Sequence, residues 1–315
     1  MEQRRTAASV GGTVKITVFG GAGFLGSHVC DALSDAGHAV TVADTRPSPW
    51  LRADQRGLTA DITNAADVEQ AVDGADMVCN FAGIADLADA DAAPVETARV
   101  NVMGNMQVLD ACRRAKVRRY LFASSLYVYG RSGGFYRASK QACELFIEQY
   151  QASAGLPCTI VRYGSLYGPR ADARNGLHRF VSEALRDGHV TYYGTADAQR
   201  EYVHVEDAAR ATAGLLDDEA FAGANIVVTG GAALRIADVF RMMGEMLGRP
   251  LRVTYAADPL NGHYSMTPYA FMPRVGRKLV PPLTVDFGQG LLKLMEEIHR
   301  QQHPDLHECG GNYLL

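Results

Sequence analysis

The segment that most constrains this chain is Gly20-Gly-Ala-Gly23-Phe-Leu-Gly26. It follows directly on the apolar run Val14-Lys-Ile-Thr-Val-Phe19 and opens a stretch with helical spacing. A strand that turns into a helix through three glycines, spaced three apart, brings backbone N–H groups and the positive end of the helix to one point. That point suits a pyrophosphate, and a Cβ at these glycines would block its approach. The start of the chain therefore reads as the first βα turn of a dinucleotide-binding sheet.

The pattern downstream agrees. Short β-branched runs alternate with longer helical segments as far as residue 162, the signature of a parallel sheet covered on both faces. Strands are predicted over 14–19, 39–43, 58–60, 77–80, 119–124 and 159–162, and helices over 23–36, 65–72, 96–115 and 136–154. Beyond residue 170 the elements shorten, with helices over 177–186, 205–216, 236–247 and 285–301 and a strand over 225–228. The expected fold class is α/β, a Rossmann-type doubly wound parallel sheet with a smaller mixed α/β substrate-binding lobe. The expected division is a flexible N-terminal tail over 1–13, the dinucleotide-binding domain over 14–170 and the lobe over 171–315, with some of its elements returning to the first sheet. A length of 315 residues suffices for about two domain-sized cores.

Composition narrows the class further. With 31 Lys and Arg against 35 Asp and Glu, the net charge is -4 and no strong basic block stands out, which argues against nucleic acid as the main partner. No eighteen consecutive residues are apolar, so no membrane span is expected. The first twelve residues lack the apolar core of a signal peptide, and a cytoplasmic address is expected. Six cysteines without a C-x-x-C pair read as reduced and structural. His303, His307 and Cys309 have a spacing that suits a metal but no evident fourth partner, so no metal site is expected.

Asp44 ends the second predicted strand, eighteen residues beyond Gly26, where its carboxylate can accept two hydrogen bonds from an adenosine ribose and repel a 2′-phosphate. The cofactor is expected to be NAD; Arg46 nearby keeps NADP open. Asp61 and Ile62 after the third strand are candidates to hold the adenine, and Asn80-Phe81-Ala82-Gly83 after the fourth puts small residues beside the cofactor's path.

Tyr136 and Lys140 lie four residues apart at the start of a strong helix, so both project from one face. A lysine there can lower the phenol's pKa from about 10 toward neutrality, giving an acid/base for a sugar hydroxyl. With 14 Tyr and five Lys, chance supplies about 0.2 such pairs. Ser124 and Ser125 end the fifth strand, where a hydroxyl can orient the reacting oxygen.

Taken together, Gly20-x-x-Gly23-x-x-Gly26, Asp44, Asp61-Ile62, Ser124-Ser125, Val128-Tyr-Gly130, Tyr136-x-x-x-Lys140, Tyr167-Gly-Pro-Arg170 and Arg200-Glu-Tyr-Val-His-Val-x-Asp207 resemble the extended short-chain dehydrogenase/reductase family, in its nucleotide-sugar epimerase and dehydratase branch. The resemblance runs through almost the whole chain. It implies that Tyr136 is the catalytic acid/base, Lys140 its partner and a ligand of the nicotinamide ribose, and Ser125 the hydroxyl beside the reacting oxygen. It further implies a cofactor site of Gly20, Gly23, Phe24, Leu25, Gly26, Asp44, Asp61, Ile62, Phe81, Ala82, Gly83 and Asn101, shared with Tyr136 and Lys140. Arg200 would grip the substrate diphosphate, since a guanidinium pairs with two phosphate oxygens at once.

Within the branch, dehydratases carry an acidic pair directly after the serine, where Leu126 and Tyr127 stand here. Glucuronate decarboxylases place a glutamate at the Tyr127 position and fucose-type synthases a cysteine at the Leu126 position. Epimerisation at C4 through a transient 4-keto sugar remains. Galactose-type epimerases place an asparagine where Ser165 stands, whereas glucuronate 4-epimerases use a hydroxyl residue there. Ser165, with Ser124 and Arg170, is thus a candidate carboxylate site, and UDP-glucuronate the expected substrate. UDP-glucose 4-epimerisation, reduction of a 4-keto sugar and NAD binding without turnover stay open. A homodimer is expected, formed through the apolar faces of the helices over 96–115 and 136–154. Two departures from the family stand out: only five residues separate Gly130 from Tyr136, and the segment over 263–273 replaces the stretch that usually supplies a second phosphate-binding arginine, for which His263 and Arg274 are candidate substitutes that the sequence does not place.

Overall fold

Eight strands form one parallel sheet, its central members built from β-branched and apolar runs. The computed structural model describes residues 13–257, 277–280 and 285–303. Its strands are β1 (Lys15–Phe19), β2 (Ala39–Asp44), β3 (Arg56–Thr59), β4 (Met77–Asn80), β5 (Arg119–Ser125), β6 (Cys158–Tyr163), β7 (Ser165–Tyr167), β8 (His189–Tyr193), β9 (Gln199–His204), β10 (Asn225–Val228), β11 (Ala233–Arg235), β12 (Arg252–Ala256) and β13 (Arg277–Leu279). Its α-helices are α1 (Phe24–Asp35), α2 (Ala65–Val72), α3 (Leu87–Ala92), α4 (Pro94–Thr97), α5 (Asn105–Arg114), α6 (Gly134–Ala154), α7 (Gly176–Asp187), α8 (Val205–Asp217), α9 (Ile236–Met246) and α10 (Phe287–Gln302).

The sheet order is β13-β10-β6-β5-β4-β1-β2-β3, parallel throughout. Chain order reverses between β1 and β4, and the crevice beyond their carboxyl ends is where open α/β sheets take ligands. Helices α1 and α8 cover one face, burying Val29, Leu33, Ala209 and Leu216 against Ile16, Val18 and Val161. Helices α2, α5 and α6 cover the other, with Val68, Leu109 and Ile147 against Val78, Phe122 and Ile160. Burial on both faces is why these strands carry almost unbroken apolar runs.

Residues beyond 170 build a second core from α7, α9 and α10, with Phe180, Phe240, Met243 and Leu294 at its centre. The small sheets β11-β9-β7 and β12-β8 belong to it. From the same stretch, α8, β10 and β13 go back to the main sheet. Arg119 fixes one of these returns. Fully buried at the start of β5, it donates from Nη1 to the carbonyls of Leu215 (2.8 Å), Leu216 (3.1 Å) and Asp218 (3.1 Å), the negative end of α8, while Nη2 reaches Glu219.

One expected element is broken. The helix predicted over 96–115 is α4, then a π-helical stretch over Ala98–Gly104, then α5. The wider turn carries Asn101, whose side chain binds the backbone of Ile84, and Gly104, whose bare Cα lets Ile62 pack close. Among the described residues five free, buried cysteines occur, and no helix is long and apolar enough to cross a membrane. The tail over 1–12, His263, Arg274, His307 and Cys309 lie outside the described residues.

Candidate active site

The glycine turn is crowded from within. A Cβ on Gly26 would lie 2.1 Å from the Gly20 carbonyl oxygen, and one on Gly20 would lie 2.5 Å from the Ala82 nitrogen. Those two glycines are required by the chain's own backbone. Gly23 differs: within 4 Å its Cβ would meet only the Gly20 oxygen, at 3.2 Å, so the space beside it stays open. Gly23 is also the cap residue of α1 and has no side chain to occupy the helix's first N–H groups. Gly23, Phe24 and Leu25 remain partly exposed while Gly26 is buried, so the first turn presents backbone to the crevice.

Asp44 closes the turn from the side, its Oδ2 accepting from the Ala22 N–H at 3.0 Å. Asn80 supports the opposite lip by accepting from the Ala82 N–H at 3.0 Å, leaving Phe81, Ala82 and Gly83 partly or fully exposed. Asn101 holds the same loop, accepting from the Ile84 N–H (2.7 Å) and donating to the Ile84 carbonyl (2.9 Å) and to Ser139 Oγ (2.9 Å). A bare, anion-ready helix start, a carboxylate and an open lip fit a dinucleotide. Asp61 Oδ1 accepts from the N–H and hydroxyl of Thr63, each at 2.8 Å, and the Ile62 side chain points into the core against Gly104. The Ile62 side chain is therefore part of the core.

Ser125, Tyr136 and Lys140 come together at the carboxyl end of β5. Tyr136 is hydrogen-bonded to Ser125, and its ring stands edge-on to Tyr127 with centroids 6.2 Å apart. Lys140, one helical turn on, is buried; its Nζ donates to the Ala123 carbonyl at 2.8 Å and lies 4.6 Å from the centre of the Phe122 ring. The expected acidification of the phenol is not found in the protein alone. Burial pushes Tyr136 up to about 12, opposed by the Ser125 hydrogen bond. Burial likewise lowers Lys140.

Ser124 takes no place on this surface. Its hydroxyl donates to Glu144 Oε1 at 2.5 Å, and Glu144 in turn receives Arg162 through Nε at 2.9 Å and Nη2 at 2.6 Å. Arg162 also donates to the Tyr129 hydroxyl at 2.7 Å. All of these groups are buried. Ser124 is a member of this buried ion-pair network, which the sequence reading did not include. The available signals were an arginine inside the apolar strand β6 and a carboxylate four residues after Lys140.

Arg170 also departs from expectation. Its Nη2 binds Asp31 of α1 at 2.7 Å, its guanidinium lies 4.9 Å from the Trp50 ring centre, and its N–H donates to Glu297 of α10 at 3.2 Å. The Arg170 guanidinium is thus held against α1. Ser165 is half-buried on β7, in register with Tyr202. Arg200 lies two residues before Tyr202 on β9, hence on the same sheet face, with Nη1 on the Gln199 carbonyl (2.8 Å) and Nη2 on the Tyr192 hydroxyl (3.2 Å). Among the described residues no group of three His, Cys, Asp or Glu is placed to hold a metal.

A doubly wound sheet with an open glycine turn at its switch point and a Ser–Tyr–Lys cluster beside it defines a nucleotide-dependent enzyme of the short-chain dehydrogenase/reductase type. The sequence matches the NAD dependent epimerase/dehydratase family over residues 16–230, and the chain belongs to that family. Its cofactor is NAD. A UDP-glucose 4-epimerase of Azospirillum brasilense is 29% identical over 288 residues, covering 80% of this chain and 82% of the relative. The solved structure of the Thermus thermophilus UDP-glucose 4-epimerase with NAD is similar at a TM-score of 0.77 and 26% identity, covering 90% of this chain and 99% of the other. The UDP-glucuronic acid 4-epimerase of Bacillus cereus, in complex with UDP-glucuronic acid and NAD, shares the fold at a TM-score of 0.80 and 23% identity, covering 91% and 100%.

Proposed function

We propose that this chain inverts C4 of a UDP-linked sugar, with UDP-glucuronate to UDP-galacturonate as its conversion. The observation that carries the reading is the Ser125–Tyr136–Lys140 cluster at the edge of the crevice between β1 and β4. NAD, when bound at the glycine turn beside Gly23 and Asp44, would supply a reversible hydride acceptor, so that inversion would need no net redox change. Tyr136 takes the 4-hydroxyl proton and gives it back, Ser125 orients that oxygen, and Lys140 provides the nearby positive charge. Arg200, braced by Gln199 and Tyr192, is the group for the diphosphate. Leu126 and Tyr127 follow Ser125 with no carboxyl group, which disfavours dehydration and decarboxylation.

The choice of glucuronate rests on Ser165, partly exposed on the sheet that carries Arg200. UDP-glucose is the competing substrate, favoured by the Azospirillum and Thermus relatives. A second copy of the chain is the proposed partner: Val95 (82% exposed), Met103 (53%), Leu145 (59%) and Phe146 (38%) leave an apolar strip along the segment over 94–104 and α6. The buried free thiols accord with a reducing compartment such as the cytoplasm.

The test is incubation of purified protein with UDP-glucuronate, then with UDP-glucose, without added cofactor. Formation of the C4 epimer, lost in Tyr136→Phe, supports the proposal. NADPH consumption with an added UDP-4-keto sugar, and no conversion of UDP-glucuronate or UDP-glucose, makes the chain a 4-keto-sugar reductase; no conversion of any of the three makes it an NAD-binding protein without turnover. Sedimentation of the native protein decides the dimer.

A further inference from the structure

Helix α6 carries Tyr136 in its first turn, yet its own cap position is Gly133, which has no side chain to hold the helix start. The hold comes from another helix. Asp91, near the end of α3, accepts from the Phe135 N–H through Oδ1 at 2.9 Å. The same carboxylate lies over the bare Cα of Gly134: a Cβ there would stand 2.2 Å from Asp91 Oδ1 and 2.8 Å from its Cγ. On the other side a Cβ on Gly133 would meet Tyr127 Cδ1 at 2.6 Å, and Tyr127 is the ring that stands edge-on to Tyr136. Gly133 and Gly134 have φ of +106° and +49°, a left-handed pair that other residues adopt at a cost. Arg137 closes the short loop by donating to the Gly130 carbonyl at 3.0 Å.

We propose that Asp91 is a positioning residue for Tyr136, clamping the first turn of α6 from outside and taking over the role of the longer segment that the five-residue loop over 131–135 lacks. The inference rests on the reading of Tyr136 as the acid/base and deepens it. A carboxylate at this helix start also meets the positive end of the backbone dipole. Helix α3 follows β4 through the loop held by Asn101, so the lip of the cofactor crevice and the acid/base helix are joined by one short rigid element.

The experiment compares Asp91→Ala, Asp91→Asn, Gly134→Ala and the Asp91→Ala/Gly134→Ala double variant in the intact protein. Steady-state rates with UDP-glucuronate or UDP-glucose, protiated or deuterated at C4, are read with hydrogen exchange at the Phe135 amide. Asp91→Ala is expected to lower kcat about tenfold with KM nearly unchanged and to enlarge the deuterium effect, because a misplaced phenol slows the chemical step. Asp91→Asn, which keeps an oxygen acceptor, restores kcat to within about twofold. Gly134→Ala resembles Asp91→Ala, and the double variant is no worse than either single one, since both act on the same contact. A kcat for Asp91→Ala equal to wild type, or Asp91→Asn as slow as Asp91→Ala, overturns the proposal. Phe135 exchange needs no substrate: unchanged exchange in Asp91→Ala overturns the clamp by itself. Faster exchange in a protein that converts no UDP-sugar supports the clamp and sinks the epimerase reading instead.

Discussion

The ammonium of Lys140 is bonded to the Ala123 carbonyl at 2.8 Å and stands 5.9 Å from the centre of the Tyr136 ring. At that separation, in a half-buried site, it cannot offset the loss of water around the phenol, which rises to about 12. A bound oxidised nicotinamide, which carries a positive charge, would favour the phenolate. With Tyr136 as the base, kcat/KM is expected to rise with pH as the phenol ionises. In Lys140→Met the phenol becomes harder to ionise, so that limb moves to higher pH by about one unit or more, and the rate near neutrality falls roughly tenfold or more. A pH–rate profile of the two proteins checks this; a limb that stays in place removes Lys140 from the acid/base step. Tyr136→Phe is expected to lose about 10²–10⁴-fold in kcat.

The two outer glycines and the middle one should fail in different ways. Gly26→Ala puts a methyl group 2.1 Å from the Gly20 oxygen, and the turn cannot form without moving the backbone. A poorly folded protein with a much lower Tm is the expected outcome. Gly23 has φ of -80° and a neighbour no closer than 3.2 Å, so Gly23→Ala should fold normally. At the proposed cofactor site its methyl group would meet the pyrophosphate, and NAD affinity is expected to fall about tenfold or more. Calorimetry for folding and titration of NAD into the cofactor-free protein separate the two; normal NAD binding by Gly23→Ala would move the phosphate site elsewhere.

Ser124 and Glu144 serve the fold behind the site. Removing the Ser124 hydroxyl leaves Glu144 still paired with Arg162, so Ser124→Ala is expected to cost about 1.5–3 kcal/mol of stability and to leave KM for the sugar nucleotide unchanged. Glu144→Gln strands the buried Arg162 guanidinium and should cost about 3–5 kcal/mol. Denaturant unfolding measures both. A rise in KM for Ser124→Ala at unchanged stability would return that hydroxyl to the substrate.

These outcomes trace what was legible in the residues. The glycine turn, Asp44 and the Tyr136–Lys140 pair are spelled by local spacing, because each depends on neighbours within a strand, a turn or one helical turn. The partners of Ser124 and Arg170 were not legible because Glu144 and Asp31 are twenty and 139 positions away along the chain. The inward packing of the Ile62 side chain was not legible because an apolar residue beside a ligand and one under a helix look alike until Gly104 is brought against it. Helix α3 escaped notice since Leu-Ala-Asp-Ala-Asp-Ala has no apolar period; its start is set by Asp86, which accepts from the Asp89 N–H at 3.0 Å. The strands β7 and β11 are three residues each and carry no periodic signal at all.

His28 gives the fold a dependence on pH that is separate from catalysis. It is buried on α1, with Nε2 within 3.0 Å of the Pro169 carbonyl. Burial lowers its pKa from 6.5 to about 4; the Pro169 carbonyl opposes this, Arg170 adds to it, and Glu206 and Asp31 oppose it. The folded protein thus keeps His28 neutral where the unfolded chain takes up a proton. Stability from this group is complete above pH 6.5 and is lost as pH falls through the interval down to about 4, to a total of roughly 3 kcal/mol. Thermal unfolding between pH 7.5 and 4.5 is expected to show Tm falling less steeply in His28→Gln, which cannot take up that proton, than in the wild type. Parallel slopes for the two proteins would mean that His28 ionises as readily in the folded state as in the unfolded chain, and that the contact with Pro169 opens to water.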